Sequence, residues 1–147
     1  KPDFSPDDTS IGYRSEQDGG GIYIAPQSGE GRPRRLAQGG LRPRFSPDGK
    51  WIAYYDLAGK ARGAADAPSG RIFIVSPEGG QPRQIQPDFI ESRYPVWSPD
   101  GQHLLFLGED ASERWDWWVS PHDGGAAKPT LALQTLSRVP DAHAPER

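Results

Sequence analysis

The sequence predicts an all-β chain built from three copies of one four-strand unit. Pro2-Asp3-Phe4-Ser5-Pro6-Asp7-Asp8, Pro43-Arg44-Phe45-Ser46-Pro47-Asp48-Gly49 and Pro95-Val96-Trp97-Ser98-Pro99-Asp100-Gly101 are copies of one motif, an aromatic followed by Ser-Pro-Asp. A period of this length is the mark of a repeat architecture. Seven residues after each motif aromatic comes an apolar triplet, Ile11-Gly12-Tyr13, Ile52-Ala53-Tyr54 and Leu104-Leu105-Phe106. Gly (18) and Pro (16) are abundant while aromatics still make up 10% of the chain at fixed places, as many short strands joined by tight turns require.

Each copy divides into segments A to D. Segment A carries the motif aromatic and B the apolar triplet. Segment C is rich in β-branched and aromatic residues, reading Ile22-Tyr23-Ile24, Ile72-Phe73-Ile74 and Trp117-Trp118-Val119. Gly29, Gly79 and Gly124 follow it at a constant interval, where a turn with positive φ is expected. Segment D is short and is expected to end on Leu36, Ile85 and Leu131. No segment shows a helical period.

The Ser-Pro-Asp-Gly sequence suits the reversal from A to B. Proline presets φ at the first central position, Asp accepts from nearby backbone N–H groups, and Gly takes the left-handed conformation. The first copy has Asp8 in the glycine place, and Asp tolerates that conformation better than most residues. In the second copy Trp51-Ile52-Ala53-Tyr54-Tyr55 is apolar on both faces of a strand, so its sheet must be covered on both sides. Four-stranded sheets packed face to face around an axis meet that condition. The expected fold is therefore a β-propeller with three four-stranded blades, half or part of a six-bladed ring. The expected division is blade 1 at 1–40, blade 2 at 41–91, blade 3 at 92–133 and a flexible tail at 134–147.

With its three aligned motifs, its "IYI" and "IFI" strands, and Gly79-Gly80 followed by Pro82-Arg83-Gln84-Ile85, the chain resembles the TolB-like, Pro-Asp variety of WD-like propeller repeat over about residues 2 to 131. The resemblance implies blades whose segment A lines a central channel. It also implies a periplasmic or extracytoplasmic setting and one of three contexts: a binding or sensory module, the gating propeller of a prolyl-oligopeptidase-like serine peptidase, or a structural spacer in a receptor. The chain departs from the pattern in having three blades and in placing Trp117 and Trp118 where an aliphatic pair is usual.

At 147 residues the length fits one domain, and with no Met the chain reads as a processed product or an excised segment. The lack of Cys excludes a disulfide scaffold, a thiolate metal site and a Cys nucleophile. A net charge of −3 argues against a general nucleic-acid surface, and no apolar run approaches the ~20 residues of a membrane span. No Gly-x-Ser-x-Gly elbow is present, so a non-enzymatic module is expected, with no catalytic, cofactor or metal site. Asp48 and Asp100 are read as turn formers rather than cation ligands. His103, His122 and His143 lack ligand spacing, and the first two are read as surface turn residues. Arg32, Arg34, Arg35, Arg42 and Arg44 form a basic run with two readings, a site for an acidic partner or a phosphate and, preferred, a solvated edge, with Arg83 repeating the place of Arg34.

Loop lengths set the expected binding face. The A-to-B turn is constant, whereas the steps from the B triplet to segment C are 9, 18 and 11 residues, the longest carrying Asp56 to Arg62. Variable loops on one face of a repeat array are where binding concentrates. That end gathers Arg14, Lys60, Arg62, Phe89, Ile90, Arg114 and Trp115, apolar anchors mixed with charge that suit a protein or peptide partner. Three blades also leave two apolar faces open. These are expected to be covered by self-association or by further blades.

Overall fold

The computed structural model describes residues 1–60 and 68–136, with only the backbone at 59 and 60. Within them the chain forms three four-stranded antiparallel sheets in simple meander order. Blade 1 comprises β1 (Asp3–Phe4), β2 (Ser10–Ser15), β3 (Gly21–Pro26) and β4 (Arg34–Gln38). Blade 2 comprises β5 (Leu41–Phe45), β6 (Ile52–Lys60), β7 (Pro68–Val75) and β8 (Arg83–Ile85). Blade 3 comprises β9 (Glu91–Trp97), β10 (His103–Glu109), β11 (Trp115–Pro121) and β12 (Lys128–Pro129). The innermost strands meet, β1 with β5 and β5 with β9, which sets them along the axis.

Two apolar seams hold the blades together. Ile22, Ile24, Leu36 and Ala37 of blade 1 pack on Phe45, Ile52, Tyr54 and Val75 of blade 2. Ala53, Tyr55, Ile72, Ile74 and Ile85 of blade 2 pack on Leu104, Phe106 and Trp118 of blade 3. The two-faced run in β6 thus serves both seams, Ile52 and Tyr54 one way, Ala53 and Tyr55 the other, as alternation along a strand requires.

Three expectations are corrected. Segment D of blade 3 does not end on Leu131, which is 46% exposed with φ of 62°. Pro129 has no N–H to extend the ladder, and the last rung is the Thr130 N–H donating to the Trp117 carbonyl at 2.8 Å. A short helix, α1 (Ala132–Leu136), then forms where no helical period was legible. Its start is tied by one local and one long-range bond, the Ala132 N–H to Thr130 Oγ1 at 3.3 Å and the Leu133 N–H to Asp116 Oδ1 of β11 at 3.4 Å. Finally, the long B-to-C connection of blade 2 is strand at each of its described residues, 55–60 and 68–71. Asp56 to Lys60 continue β6, pairing across a bulge with β7 as far as Lys60 opposite Pro68.

Candidate functional site

At the A-to-B end the three Ser-Pro-Asp turns are nearly identical. The N–H of Asp8, Gly49 and Gly101 donates to the carbonyl of Ser5, Ser46 and Ser98, each at 2.9 Å. Asp8 takes the left-handed place with φ of 60°, matching Gly49 at 72° and Gly101 at 70°. Each serine hydroxyl donates to the aspartate two residues on, at 2.6, 2.6 and 2.5 Å. The same oxygen accepts the N–H five residues on, from Ser10, Trp51 and His103. These serine hydroxyls first, then the Thr9 hydroxyl at Asp7, and backbone N–H groups after them, hold Asp7, Asp48 and Asp100 below the usual carboxylate range. A cavity of about 270 Å³ opens here between blades 1 and 2, lined among others by Asp7, Arg34, Asp48 and Glu78. Its main polar groups are committed internally, Asp7 and Asp48 to their turns and Arg34 to the carbonyls of Pro77 (2.9 Å) and Glu78 (3.4 Å). Among the described residues no group of three acidic or histidine side chains is placed to hold a metal ion, and no helix is long and apolar enough to cross a membrane.

The basic run dissolves into separate duties. Arg34 clamps the C-to-D turn of blade 2, and Arg83 does the same for blade 3 through the His122 carbonyl at 2.5 Å. Arg35 donates to the Asp18 carbonyl, Arg44 lies 3.8 Å from Asp3, and Arg42 stacks over the Tyr94 ring. His122 is not a free surface residue. It sits half-buried against the rings of Trp51 (6.3 Å) and Trp97 (5.8 Å).

At the opposite end the connections differ from blade to blade. Trp115, 39% exposed, opens β11 beside Arg114. Arg114 pairs with Asp110 at 3.4 Å and lies 5.3 Å over the ring of Trp118. Phe89 packs edge-on to Trp118 (5.0 Å) and Phe106 (5.3 Å), so its ring belongs to the seam and is only half available to a partner. Ile90 is half-buried, its N–H donating to the Glu109 carbonyl. Trp118 thus joins Phe89 to Arg114, and Trp115 adjoins them in sequence. Arg14 stands apart on blade 1, paired with Glu16 at 2.7 Å. The Lys60 side chain and Arg62 lie outside the described residues.

No protein-family model matches the sequence. Among solved structures, TolB from Acinetobacter baumannii superposes with a TM-score of 0.67 at 20% identity, covering 87% of this chain and 31% of that one. The fold is that of a TolB-like β-propeller. Its curated relatives include the uncharacterized peptidase YuxL of Bacillus subtilis, 36% identical over 74 residues (48% of this chain, 10% of that protein). Dipeptidyl-peptidase 5 of Porphyromonas gingivalis is 25% identical over 134 residues (82% of this chain, 19% of that protein). The TolB-like segment therefore spans less than a fifth of either peptidase.

Sequence reasoning passed over two features of this TolB-like propeller. The turn serines tie each hairpin together from beneath, a role that the recurring Ser before Pro-Asp could have disclosed. The other is a left-handed residue before a proline in the inner strands, Arg42 at φ 52° and Tyr94 at φ 59°. Its sequence trace is the proline two residues before each motif aromatic, Pro43 and Pro95.

Proposed function

We propose that the chain is a non-enzymatic propeller module that binds a protein or peptide on the face where the B-to-C and D-to-A connections emerge. The observation that carries this reading is the contrast between the two ends. The Ser-Pro-Asp end repeats one turn and satisfies its polar groups internally, while the other end varies in length and exposes Trp115 beside Arg114. A large, rigid aromatic on a charged rim is the composition of an interface anchor. A tiled array of immobilised peptides probed with the labelled chain tests it. Bound peptides are expected to lose at least tenfold in affinity with Trp115→Ala and to be indifferent to Asp100→Asn at the opposite end. The reverse pattern would move the binding face.

A second reading is that the module is the non-catalytic propeller portion of a serine peptidase. Two relatives named as peptidases favour it, one aligned across 82% of this chain. The parent reading frame decides the matter, since a hydrolase domain with a Gly-x-Ser-x-Gly elbow would have to accompany the propeller. The likeness to TolB supports an extracytoplasmic location under the first reading.

A further inference from the structure

At the inner edge of the seam between blades 2 and 3, a cluster of side chains has a chemistry that apolar packing does not call for. Arg42 and Tyr94 both sit three residues before a motif aromatic, and both precede a proline. Both occupy the left-handed region, at φ 52° and 59°, which residues with a Cβ seldom adopt. Each lies where its strand slips register against its neighbour, between Leu41 and Arg44 in β5 and between Arg93 and Val96 in β9. A bulge of this kind re-aims a side chain, and the proline beside it has no N–H to leave unpaired.

The outcome is a stack across the seam. The Arg42 guanidinium lies 5.0 Å over the Tyr94 ring. Tyr94 in turn meets Tyr55 edge-on at 5.3 Å, and Tyr55 is only 6% exposed. Burial pushes the Tyr55 phenol up and the neighbouring Tyr94 adds to this, while the positive charges of Arg42 and Arg93 oppose it, so both cations act on one spot. The cluster is rich in donors and poor in acceptors. Arg93 is answered by Glu91 and by the Pro68 carbonyl. Arg42 is exposed and, among the described residues, forms no ion pair. Its face is taken by the ring, and among the described residues the edge of its guanidinium fork stays open to a planar anion.

We propose that Arg42, held on Tyr94, is a carboxylate-binding site at the inner rim of the propeller, taking an acidic side chain or a free C-terminus of a peptide. This rests on the peptide-binding reading above and names the chemistry of its ligand. The fixed stack explains why a strained backbone is kept at both positions, since a guanidinium already immobilised loses little freedom on meeting a carboxylate.

The test is a titration of the isotope-labelled chain followed by NMR at the Arg42 side-chain N–H. The probes are acetyl-Gly-Gly-Glu-amide, acetyl-triglycine with a free C-terminus, acetyl-triglycine amide and inorganic phosphate. At least one carboxylate peptide is expected to shift the Arg42 signal, and which one does so identifies the source of the carboxylate. The amide should leave it in place, Arg42→Gln should weaken binding at least tenfold, and Arg42→Lys should fall between. Equal binding of the neutral amide, tighter binding of phosphate than of either carboxylate peptide, or full affinity in Arg42→Gln would overturn the proposal. Array peptides that depend on Trp115 and ignore Arg42→Gln would sink this site while leaving the proposed function standing. An array without bound peptides would instead count against that function.

Discussion

Ser46 is fully buried, and its hydroxyl is engaged twice, donating to Asp48 and accepting from the Trp51 N–H at 3.0 Å. Replacing it with Ala strands that N–H and releases the carboxylate, so Ser46→Ala is expected to cost about 1–3 kcal/mol in a urea titration. A change within a few tenths of wild type would mean the hydroxyl is incidental. The same bond gives a pH dependence. Asp7, Asp48 and Asp100 have folded pKa values below their unfolded ones, so the stability they contribute is present above about pH 4 and is lost as pH falls through the lower folded values. Asp56, raised by burial, works in the opposite direction. Melting temperature should therefore drop on acidification from pH 6 to pH 3, and drop less in Ser46→Ala, which removes the largest influence holding Asp48 down. An equal drop in both proteins would show that the turn is not the sensor. At this scale the sequence disclosed the turn, because proline and glycine act on their own backbone. It could not disclose His122 between two tryptophans, since Trp51 and Trp97 reach it from elsewhere in the chain.

The strands were legible where a residue's environment lies within its own blade. The Phe45 ring is an instance of what lies between blades. A Cβ built on Gly12 would come within 3.1 Å of its Cε2 atom, so the blade 1 glycine is a socket for the motif aromatic of blade 2. Ala53 holds the corresponding place in blade 2, beside the Arg44 carbonyl that receives the Trp97 indole N–H at 3.0 Å. Gly12→Val should be overpacked by about 1–3 kcal/mol despite the better strand propensity of valine. A stabilised Gly12→Val would mean that the ring has room to move. The repeat of Arg34 at Arg83 was visible in the sequence, and its reason was not. Each one reaches the carbonyls of the next blade's C-to-D turn, so an arginine read as a solvated edge is a stitch between blades.

Those seams also define which faces of the molecule stay uncovered. Ile22 and Ile24 face blade 2, so alternation and pairing place Phe4, Ile11, Tyr13 and Tyr23 on the opposite face of blade 1, with Phe4 56% exposed. Leu104, Phe106 and Trp118 face blade 2, which places Leu105, Leu107, Trp117 and Val119 on the far face of blade 3 beside Val96, 50% exposed. Trp117 is thus less buried than Ile72, its counterpart in blade 2, because Ile72 has a neighbouring blade against it. Lys128 stands opposite Val119 as Arg34 stands opposite Ile24 and Arg83 opposite Ile74, in the register place of the stitch and on the blade with an open side. Each of these apolar side chains is worth roughly 1.5–3 kcal/mol when fully buried, and contiguous patches of this kind are seldom left in water. We therefore expect the chain by itself to associate through these faces, whether a second copy or further blades cover them in the whole protein. Sedimentation equilibrium should show species heavier than 16.1 kDa. A double change of Val96 and Leu105 to Glu should shift the distribution to monomer without loss of the two internal seams, since neither residue contributes to them. A folded wild-type monomer at high concentration would refute the expectation. The far face of blade 3 also constrains its occupant, because Leu105 holds the place that is Gly12 in blade 1 and Ala53 in blade 2. This face therefore lacks the small-residue socket that receives Phe45 and Trp97. A covering blade should bring a smaller residue at its motif position, and Leu105→Ala is expected to strengthen association only if the occupant brings an aromatic such as Phe4.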